Sequence, residues 1–249
     1  MGATPEYQTF PPPHMLSDRF RIFRKNTAGK DLIRLAALFP KPLKTYVMGG
    51  FIRDLLIEHV RGTPIEPADY DLVIGGLVSR QELQDKLGCA YIAPNDFGGA
   101  KCQIQEDHPI FDIWRIEDHT NMSSAPKPHT IEQLLRHNLL DIDAALWDLS
   151  TDFLHDCGCL KAIRAGSIDL MGNDEGISSA FLAPQAAHIL AVAFKTAFAL
   201  SDRASDFVRA VCESGKRADV LRICSRKLTA GSATMECLVE NLLNGVHRS

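Results

Sequence analysis

The spacing of apolar and polar residues predicts a first part built of mixed helices and strands. Apolar residues recur at helical spacing in three segments, 16–38, 51–60 and 80–87, and Gly29 is expected to divide the first of them. Short β-branched or apolar runs that end at glycine or turn residues predict strands at 45–48, 70–74, 101–105 and 110–116. The last two strands are expected to form a hairpin through a turn at 106–109. This order of elements predicts a mixed sheet with flanking helices.

Beyond residue 121 the pattern changes to one that favours helices. Residues 122–129 are rich in serine and proline, which predicts a loop, and the chain from residue 131 onward is expected to be mostly helical. Apolar helical spacing is clearest at 186–200 and 203–212. We therefore predict three regions, which are a flexible or extended arm at 1–15, an α/β head at 16–165 and a small all-helical unit at 166–249.

Composition and charge narrow the class of protein. With 45% hydrophobic and 23% charged residues among 249, the chain is typical of globular proteins, and no segment approaches the ~20 apolar residues that a membrane span requires. A net charge of -4 argues against non-specific coating of nucleic acid but allows a local basic groove. The first 14 residues lack the pattern of a secretory signal, so we expect a cytoplasmic location and no membrane partner. The seven cysteines lack zinc-ligand spacing and are interpreted as structural thiols.

Three aspartates are candidate metal ligands. Asp69 and Asp71 stand two positions apart at the start of a predicted strand, so their side chains project from the same face. Asp112 lies in a later strand, where it alternates to the face opposite its apolar neighbours. Carboxylate oxygens suit Mg²⁺ or Mn²⁺, which commonly share such ligands with substrate phosphates. Solvated acids at a strand end are the alternative interpretation of the first pair.

A glycine pair precedes these acids. Gly49 and Gly50 connect a predicted strand to a predicted helix, where they let the backbone approach a phosphate and expose amides at the helix start. Arg53 falls in the first turn of that helix, where it is placed to reach a phosphate or to pair with a nearby acid. A plain glycine turn is the alternative. Glycines and carboxylates together favour a site for a nucleoside triphosphate.

The same residues resemble a known family. The head-domain signature of the tRNA nucleotidyltransferase and poly(A) polymerase family is similar to Gly-Gly-Phe-Ile-Arg-Asp-Leu-Leu at 49–56 followed by Asp-Tyr-Asp-Leu-Val at 69–73. Phe-Asp-Ile-Trp-Arg at 111–115 resembles the strand that supplies the third acid of that family. The resemblance covers residues 43–165 and, more faintly, the chain to about 210. It implies a nucleotidyltransferase-type α/β (α+β) fold, an NTP substrate and Mg²⁺ or Mn²⁺ as cofactor.

Carried over position by position, the resemblance implies a set of site residues. The catalytic and metal-binding residues would be Asp69, Asp71 and Asp112. The nucleotide-binding residues would be Gly49, Gly50, Arg53, Arg115, Arg136 and Asp143. Arg136 stands one place before the position of an arginine in the family pattern, and Asp143 replaces an asparagine. As a carboxylate, Asp143 can accept a hydrogen bond from a ribose hydroxyl but cannot donate one.

The pattern departs from the family where the base is selected. The family uses Glu-Asp-x-x-Arg in its helical neck, whereas this chain has Pro-Gln-Ala-Ala-His at 184–188. Without the acid pair and the arginine, we predict no alternating selection of CTP and ATP, and therefore no CCA specificity. Because the chain ends at Ser249, we expect a head and a partial neck without the family's full body and tail.

These expectations combine into one functional hypothesis with alternatives. We expect transfer of a nucleoside monophosphate from an NTP to a hydroxyl acceptor, most directly an RNA or tRNA 3′ end. A protein or small-molecule acceptor, as in toxin-type or antibiotic-modifying transferases, is the alternative among enzymes, and an inactive nucleotide-binding module is the alternative outside them. A protein partner or homo-oligomer stays open. A basic cluster is interpreted equally as an RNA contact or a solvated helix face, and consists of Lys216, Arg217, Arg222, Arg226 and Lys227.

Overall fold

The described part of the chain forms two compact units. The computed structural model describes residues 5–11, 14–62, 70–95, 98–118, 129–171, 177–228, 237 and 239–240. The first unit contains the described residues up to 118 together with 129–138 and 142–163, and the second contains 139–141 and the described residues from 164 onward. Asp69 and the predicted loop up to residue 128 lie outside the described residues. Within these ranges, no helix is long and apolar enough to cross a membrane.

The first unit is organised around an eight-stranded mixed sheet. Its strands are β1 (Gln8–Phe10), β2 (Lys44–Met48), β3 (Tyr70–Gly75), β4 (Tyr91–Pro94), β5 (Ala100–Cys102), β6 (Phe111–Arg115), β7 (Ala145–Asp148) and β8 (Phe153–Asp156). They lie in the order β1-β8-β7-β2-β3-β6-β5-β4. The pair β3 and β6 is parallel, and the other neighbouring pairs of this sheet are antiparallel. The centre of the sheet is therefore β2, β3 and β6.

Two of the first unit's helices begin with a capping box. The helices of this unit are α1 (His14–Phe23), α2 (Thr27–Ala37), α3 (Gly50–Arg61), α4 (Arg80–Leu87), α5 (Ile131–Arg136) and α6 (Cys159–Ala165). Ser79 caps α4 and Thr130 caps α5, each through a capping box in which side chain and backbone exchange hydrogen bonds. Helix α3 ends at Gly62 in the left-handed conformation. Local sequence thus sets the starts of α4 and α5 and the end of α3.

Aromatic packing fixes α3 against the sheet. Phe51 of α3 is 1% exposed, with its ring centroid 4.4 Å from that of Phe23 and 5.4 Å from that of Tyr70 on β3. Phe20 of α1 stacks on the fully buried Trp147 of β7 at 3.8 Å. Such side chains bury ~150–250 Å² each and contribute strongly to core stability. The packing holds the first turn of α3, which begins at Gly50, and the preceding Gly49 in a fixed position on the sheet.

The second unit is mainly helical. Its helices are α7 (Leu182–Thr196), α8 (Asp202–Val211) and α9 (Arg217–Leu228), and two short parallel strands are β9 (Ser167–Ile168) and β10 (Ala199–Leu200). Helix α7 packs against both α8 and α9. Buried residues recur at helical spacing along α7, and among them Ala186, Ile189 and Leu190 are at most 1% exposed.

The predicted fold class is confirmed, since a mixed sheet with flanking helices is followed by a helical region. The prediction that the chain is mostly helical from residue 131 onward is wrong for β7 and β8. All four residues of β7 are buried, so the strand shows none of the alternation that identifies a half-buried strand. Strands β1 and β4 were also not predicted. Residues of β1 pair antiparallel with β8 at one edge of the sheet.

The break in the first predicted helix lies before Gly29. Asn26 begins α2, and its side-chain oxygen accepts a hydrogen bond from the Gly29 backbone N–H at 2.8 Å. Gly29 lies inside the first turn of α2, where a Cβ atom would overlap the carbonyl oxygen of Phe23. The glycine therefore allows two backbone segments to approach each other and is not itself the break.

Candidate active site

A row of charged side chains crosses the centre of the sheet. Asp71 of β3 pairs with Asp112 of β6, and Asp112 pairs with Lys101 of β5 on its other side. Paired residues on neighbouring strands project from the same face, and strands lie ~4.8 Å apart. The side chains of Asp71, Asp112 and Lys101 consequently lie next to one another. We call these three residues the charged row.

Gly49 closes one end of the charged row. It follows Met48, which pairs with Asp71 on β2. Gly49 has φ 73° and ψ -150°, a backbone conformation that residues other than glycine rarely adopt. A Cβ atom at this position would lie 2.5 Å from Oδ2 of Asp71. Two features therefore require glycine at position 49, which are its backbone angles and the close approach of the Asp71 carboxylate.

The start of α3 lies beside this carboxylate. Gly49 is the N-terminal cap of the 12-residue helix and makes no side-chain cap. The first backbone N–H groups of a helix lack acceptors within the helix and carry a partial positive charge. Helix starts of this kind favour anions such as phosphates. The glycine pair thus places an anion-attracting backbone next to the two acids.

Asp112 is held from two sides. Nζ of Lys101 lies 3.0 Å from Oδ2 and 3.2 Å from Oδ1 of Asp112. Asn95 donates from Nδ2 to Oδ1 at 3.2 Å, and Asn95 is itself fixed because its Oδ1 accepts from the Gly99 backbone at 2.7 Å. The Asp112 and Lys101 side chains remain 28% and 43% exposed. The carboxylate is therefore oriented but still open to solvent.

Arg53 and Asp143 form a buried pair on the other side of the glycine turn. Arg53 is 6% exposed and donates to Asp143 at 2.8 Å and to Asp54 at 3.0 Å. Burial alone would lower the pKa of Arg53, but the carboxylates of Asp143 and Asp54 raise it above its ordinary value. Its second terminal nitrogen lies 3.2 Å from where a Cβ of Gly50 would be. The structure thus brings Arg53, Asp143 and Gly50 together.

Arg115 is not part of the charged row. It stands three residues after Asp112, which places it on the opposite face and ~10 Å along β6. Two of its nitrogens donate to the two oxygens of Asp118, each at 2.7 Å. Arg80 also donates to Asp118 at 2.8 Å. Burial alone would raise the pKa of the Asp118 carboxyl, but the hydrogen bonds from Arg115 and Arg80 hold it below its ordinary value.

Arg136 lies on the β1 side of the sheet. It donates to Glu132 within α5 at 2.9 Å and to the backbone carbonyl of Pro5 at 3.0 Å. Pro5 leads into β1, which is four strands from β3 and so ~19 Å away at ~4.8 Å per strand. The structure therefore does not bring Arg136 to the acids.

The donor set fits a divalent cation. Asp71 and Asp112 offer hard carboxylate oxygens from neighbouring strands, and Mg²⁺ commonly takes one or two carboxylates, with phosphates and water completing its shell. Among the residues that the structure describes, no group of three or more His, Cys, Asp or Glu side chains is arranged to hold a metal ion. Asp69, the predicted third ligand, lies outside them.

Solved structures share this arrangement of strands and helices. A CCA-adding enzyme in complex with CTP superposes with a TM-score of 0.61 at 17% identity, over 95% of this chain and 54% of the enzyme. The Thermotoga maritima CCA-adding enzyme complexed with tRNA gives 0.55 at 16% identity, over 96% and 55%. A tRNA-processing enzyme in an apo form gives 0.57 at 18%, over 94% and 58%. This chain has the CCA-adding enzyme fold.

The likeness to these enzymes is one of fold. The chain spans between 54% and 58% of the length of these three structures. No family model matches the sequence, and neither does any curated protein. What the CCA-adding enzyme fold contributes is the placement of β2, β3, β6 and β5, on which the charged row depends.

The sequence did not indicate two residues that contact Asp112 in the candidate site. Lys101 reaches Asp112 through the register of β5 against β6, and Asn95 reaches it from the end of β4. Neither belongs to a motif. The available signal for Lys101 was a lysine at the start of a predicted strand that forms a hairpin with the strand of Asp112. Their contacts with Asp112 follow from the pairing of strands.

Proposed function

We propose that this protein is a metal-dependent nucleotidyltransferase that transfers a nucleoside monophosphate from an NTP to a hydroxyl group and releases pyrophosphate. The observation that carries the proposal is the side-by-side pair of Asp71 and Asp112 next to a glycine turn at the start of α3. The fold supports the proposal, because the solved structures that share it include a CCA-adding enzyme and a tRNA-processing enzyme.

The two aspartates of the charged row provide metal ligands in this proposal. Asp71 and Asp112, joined by Asp69, hold Mg²⁺ or Mn²⁺. When bound, the metal neutralises charge on the phosphates and lowers the pKa of the attacking hydroxyl. Gly49 and Gly50 admit the triphosphate to the start of α3, where backbone N–H groups donate to its oxygens. Asp112 is already oriented for this role by Asn95 and Lys101.

Arg53 and Asp143 bind the nucleotide as a unit in this proposal. Arg53 holds Asp143 at 2.8 Å and faces Gly50, so it fixes the turn that receives the phosphates. Asp143 accepts a hydrogen bond from a ribose hydroxyl. Arg115 and Arg136 do not contact the nucleotide in this proposal, because their guanidinium groups bind Asp118 and, for Arg136, Glu132 and the Pro5 carbonyl.

The proposed acceptor is an RNA 3′ hydroxyl, such as that of tRNA, without CCA specificity. One solved structure with this fold is a complex with tRNA, and others contain CTP or ATP. The segment that would replace the family's base-selecting motif lies in α7, where Gln185 is 8% exposed and Ala186 and Ala187 are fully buried. These three buried residues offer no charged edge to a base, which supports the absence of alternating CTP and ATP selection.

The test is transfer of label. The purified protein is incubated with each α-³²P-labelled NTP, Mg²⁺ and total RNA, beside an Asp71→Asn variant and an Asp85→Asn control. Asp85 is an exposed acid on α4 that pairs with Gln81. We expect label on RNA from wild type and from the control, and none from Asp71→Asn.

Other outcomes separate the alternatives. Label on the protein itself or on a small molecule indicates a different acceptor. Binding of an NTP without transfer indicates an inactive nucleotide-binding module. Transfer that persists unchanged in Asp71→Asn contradicts the proposed site.

A further inference from the structure

Asp112 already faces a cation that belongs to the chain. The Lys101 ammonium contacts both carboxylate oxygens of Asp112, at 3.0 and 3.2 Å. These are the oxygens that a divalent cation would use in the proposed function. A charged donor and a metal ion cannot occupy the same lone pairs at full strength, so their contacts with Asp112 oppose each other.

The backbone of Lys101 is fixed in β5, whereas its ammonium group can move. Its neighbours Ala100 and Cys102 are fully buried, which anchors the backbone of β5. Its own side chain is 43% exposed. A lysine ammonium is a strongly hydrated charge on a flexible four-carbon stem, so it can leave Asp112 for solvent or for a phosphate without a change in the strand.

We propose that Lys101 is a positioning residue that holds Asp112 before metal binding and competes with the divalent cation for its carboxylate. This inference rests on the proposed function. Without a cation, Lys101 offsets the repulsion between the neighbouring carboxylates of Asp71 and Asp112. When the cation binds, the ammonium gives up Asp112. The affinity of the site for metal is therefore set partly by Lys101.

The direction of the effect distinguishes competition from a structural ion pair. If Lys101 only supports the fold, its loss leaves cation affinity unchanged or weaker, because Asp112 becomes less ordered. If Lys101 competes, its loss strengthens cation binding. Because a partly exposed ion pair contributes up to about 1 kcal/mol, its loss should strengthen cation binding by about fivefold.

The experiment measures Mn²⁺ binding without nucleotide, by electron paramagnetic resonance of free Mn²⁺ at constant ionic strength. The variants are Lys101→Met, Lys101→Gln, Lys101→Arg, Asp71→Asn and Asp112→Asn, with Lys86→Met as control for loss of an exposed lysine on α4. We expect Lys101→Met and Lys101→Gln to bind Mn²⁺ about fivefold more tightly than wild type. Lys101→Arg and Lys86→Met should stay close to wild type, and both aspartate variants should lose most binding.

Two results overturn the inference in different ways. Unchanged or weaker Mn²⁺ binding by folded Lys101→Met and Lys101→Gln, with binding still lost in Asp71→Asn, removes the role of Lys101 and leaves the proposed function intact. Wild-type binding in Asp71→Asn and Asp112→Asn removes the metal site, and the inference with it. Circular dichroism of each variant checks that it is folded.

Discussion

Asp112 and Arg115 lie three residues apart on β6, and their surroundings differ in exposure and in charge balance. Asp112 is 28% exposed, stands beside a second carboxylate and contacts a lysine that is 43% exposed. Arg115 is 14% exposed and makes a two-pronged contact with Asp118, whose side chain is fully buried. One strand thus carries an open cluster of two carboxylates and an ammonium and, on its other face, an arginine bound to a buried carboxylate that Arg80 also contacts. The first kind of cluster suits a ligand, and the second suits structure.

The difference shows why a motif can join residues with separate roles. In the sequence, Phe-Asp-Ile-Trp-Arg resembles one family motif at 111–115. In the sheet, alternation sends Asp112 and Arg115 to opposite faces. Substitutions of Asp112 and of Asp118, the partner of Arg115, should therefore affect different properties.

The largest expected effect is on catalysis at the open cluster. Asp112→Asn keeps the shape of the side chain but removes a charged metal ligand, so we expect the transfer rate to fall about 10³-fold, or ~4 kcal/mol. The free energy of unfolding should change by less than ~1 kcal/mol, because the lost ion pair with Lys101 is partly exposed. Single-turnover transfer and urea unfolding measure the two quantities. A loss of stability as large as the loss of activity would mean that Asp112 serves the fold and not only the reaction.

For Asp118, the partner of Arg115, we expect a large effect on stability and a small one on transfer. Asp118→Asn removes the buried carboxylate that both Arg115 and Arg80 contact, so the free energy of unfolding should fall by about 3 kcal/mol. Arg115 keeps its ion pair with Glu117 at 2.9 Å. Transfer per folded molecule should stay within about threefold of wild type, since Asp118 does not belong to the charged row. A selective loss of transfer in this variant would mean that the contact between Asp118 and Arg115 serves the reaction.

The stability difference between wild type and Asp118→Asn should depend on pH in a defined direction. The folded-state pKa of Asp118 is held below its ordinary value of 3.8, so its stabilising contribution is present above that value and is lost as the pH falls through the folded-state pKa. The difference in stability between wild type and Asp118→Asn should therefore be full at pH 7 and shrink below about pH 4. Urea unfolding at several pH values measures it, and a difference that grows in acid contradicts the assignment.

Gly49→Ala tests the other border of the charged row. The new Cβ meets Oδ2 of Asp71 at 2.5 Å in a backbone conformation with φ 73°, so we expect a cost of about 2 kcal/mol and loss of most transfer. Gly62→Ala is the control for positive φ, because Gly62 has φ 71° and ψ 3°, in the left-handed region, with nothing within 4 Å of its Cβ position. The control should cost about 1 kcal/mol and keep its activity. Equal activity losses in both would assign the effect to backbone strain alone.

The smallest effect is expected for Arg136→Met. Its contacts with Glu132 and the Pro5 carbonyl are half-exposed, so stability should fall by about 0.5–1 kcal/mol. The KM for NTP should not change, which steady-state kinetics with varied NTP can measure. A rise of about fivefold or more in KM would place Arg136 at the nucleotide and restore the role that the family pattern gives it.

Local pattern predicted those parts of the fold whose residues show it. Strands β2 and β3 and helices α3 and α4 have clear glycine or capping boundaries, and the structure places them at almost the same residues. Strand β7 was missed because its residues are buried on both faces. The N-terminal helices were predicted as a pair, but their boundary depends on Asn26.

The candidate site was predictable only in its separate parts. The sequence indicates that Asp71 and Asp112 are exceptions in apolar strands, yet their parallel pairing is a contact between distant segments. Lys101 depends on register even more strongly, because a slip of one residue between β5 and β6 would send it to the other face. Arg115 shows the converse, since sequence spacing alone cannot tell a guanidinium that meets a ligand from one that meets Asp118.

The most direct test of the central claim is the position of a bound cation. Crystals of the wild-type protein grown with Mn²⁺ and a non-hydrolysable NTP analogue would locate Mn²⁺ by its anomalous scattering. We predict a peak in contact with carboxylate oxygens of both Asp71 and Asp112, with the triphosphate at the start of α3 and no peak beside Asp118. A nucleotide bound elsewhere, or Mn²⁺ absent from Asp71 and Asp112 while the nucleotide is bound, would contradict the account.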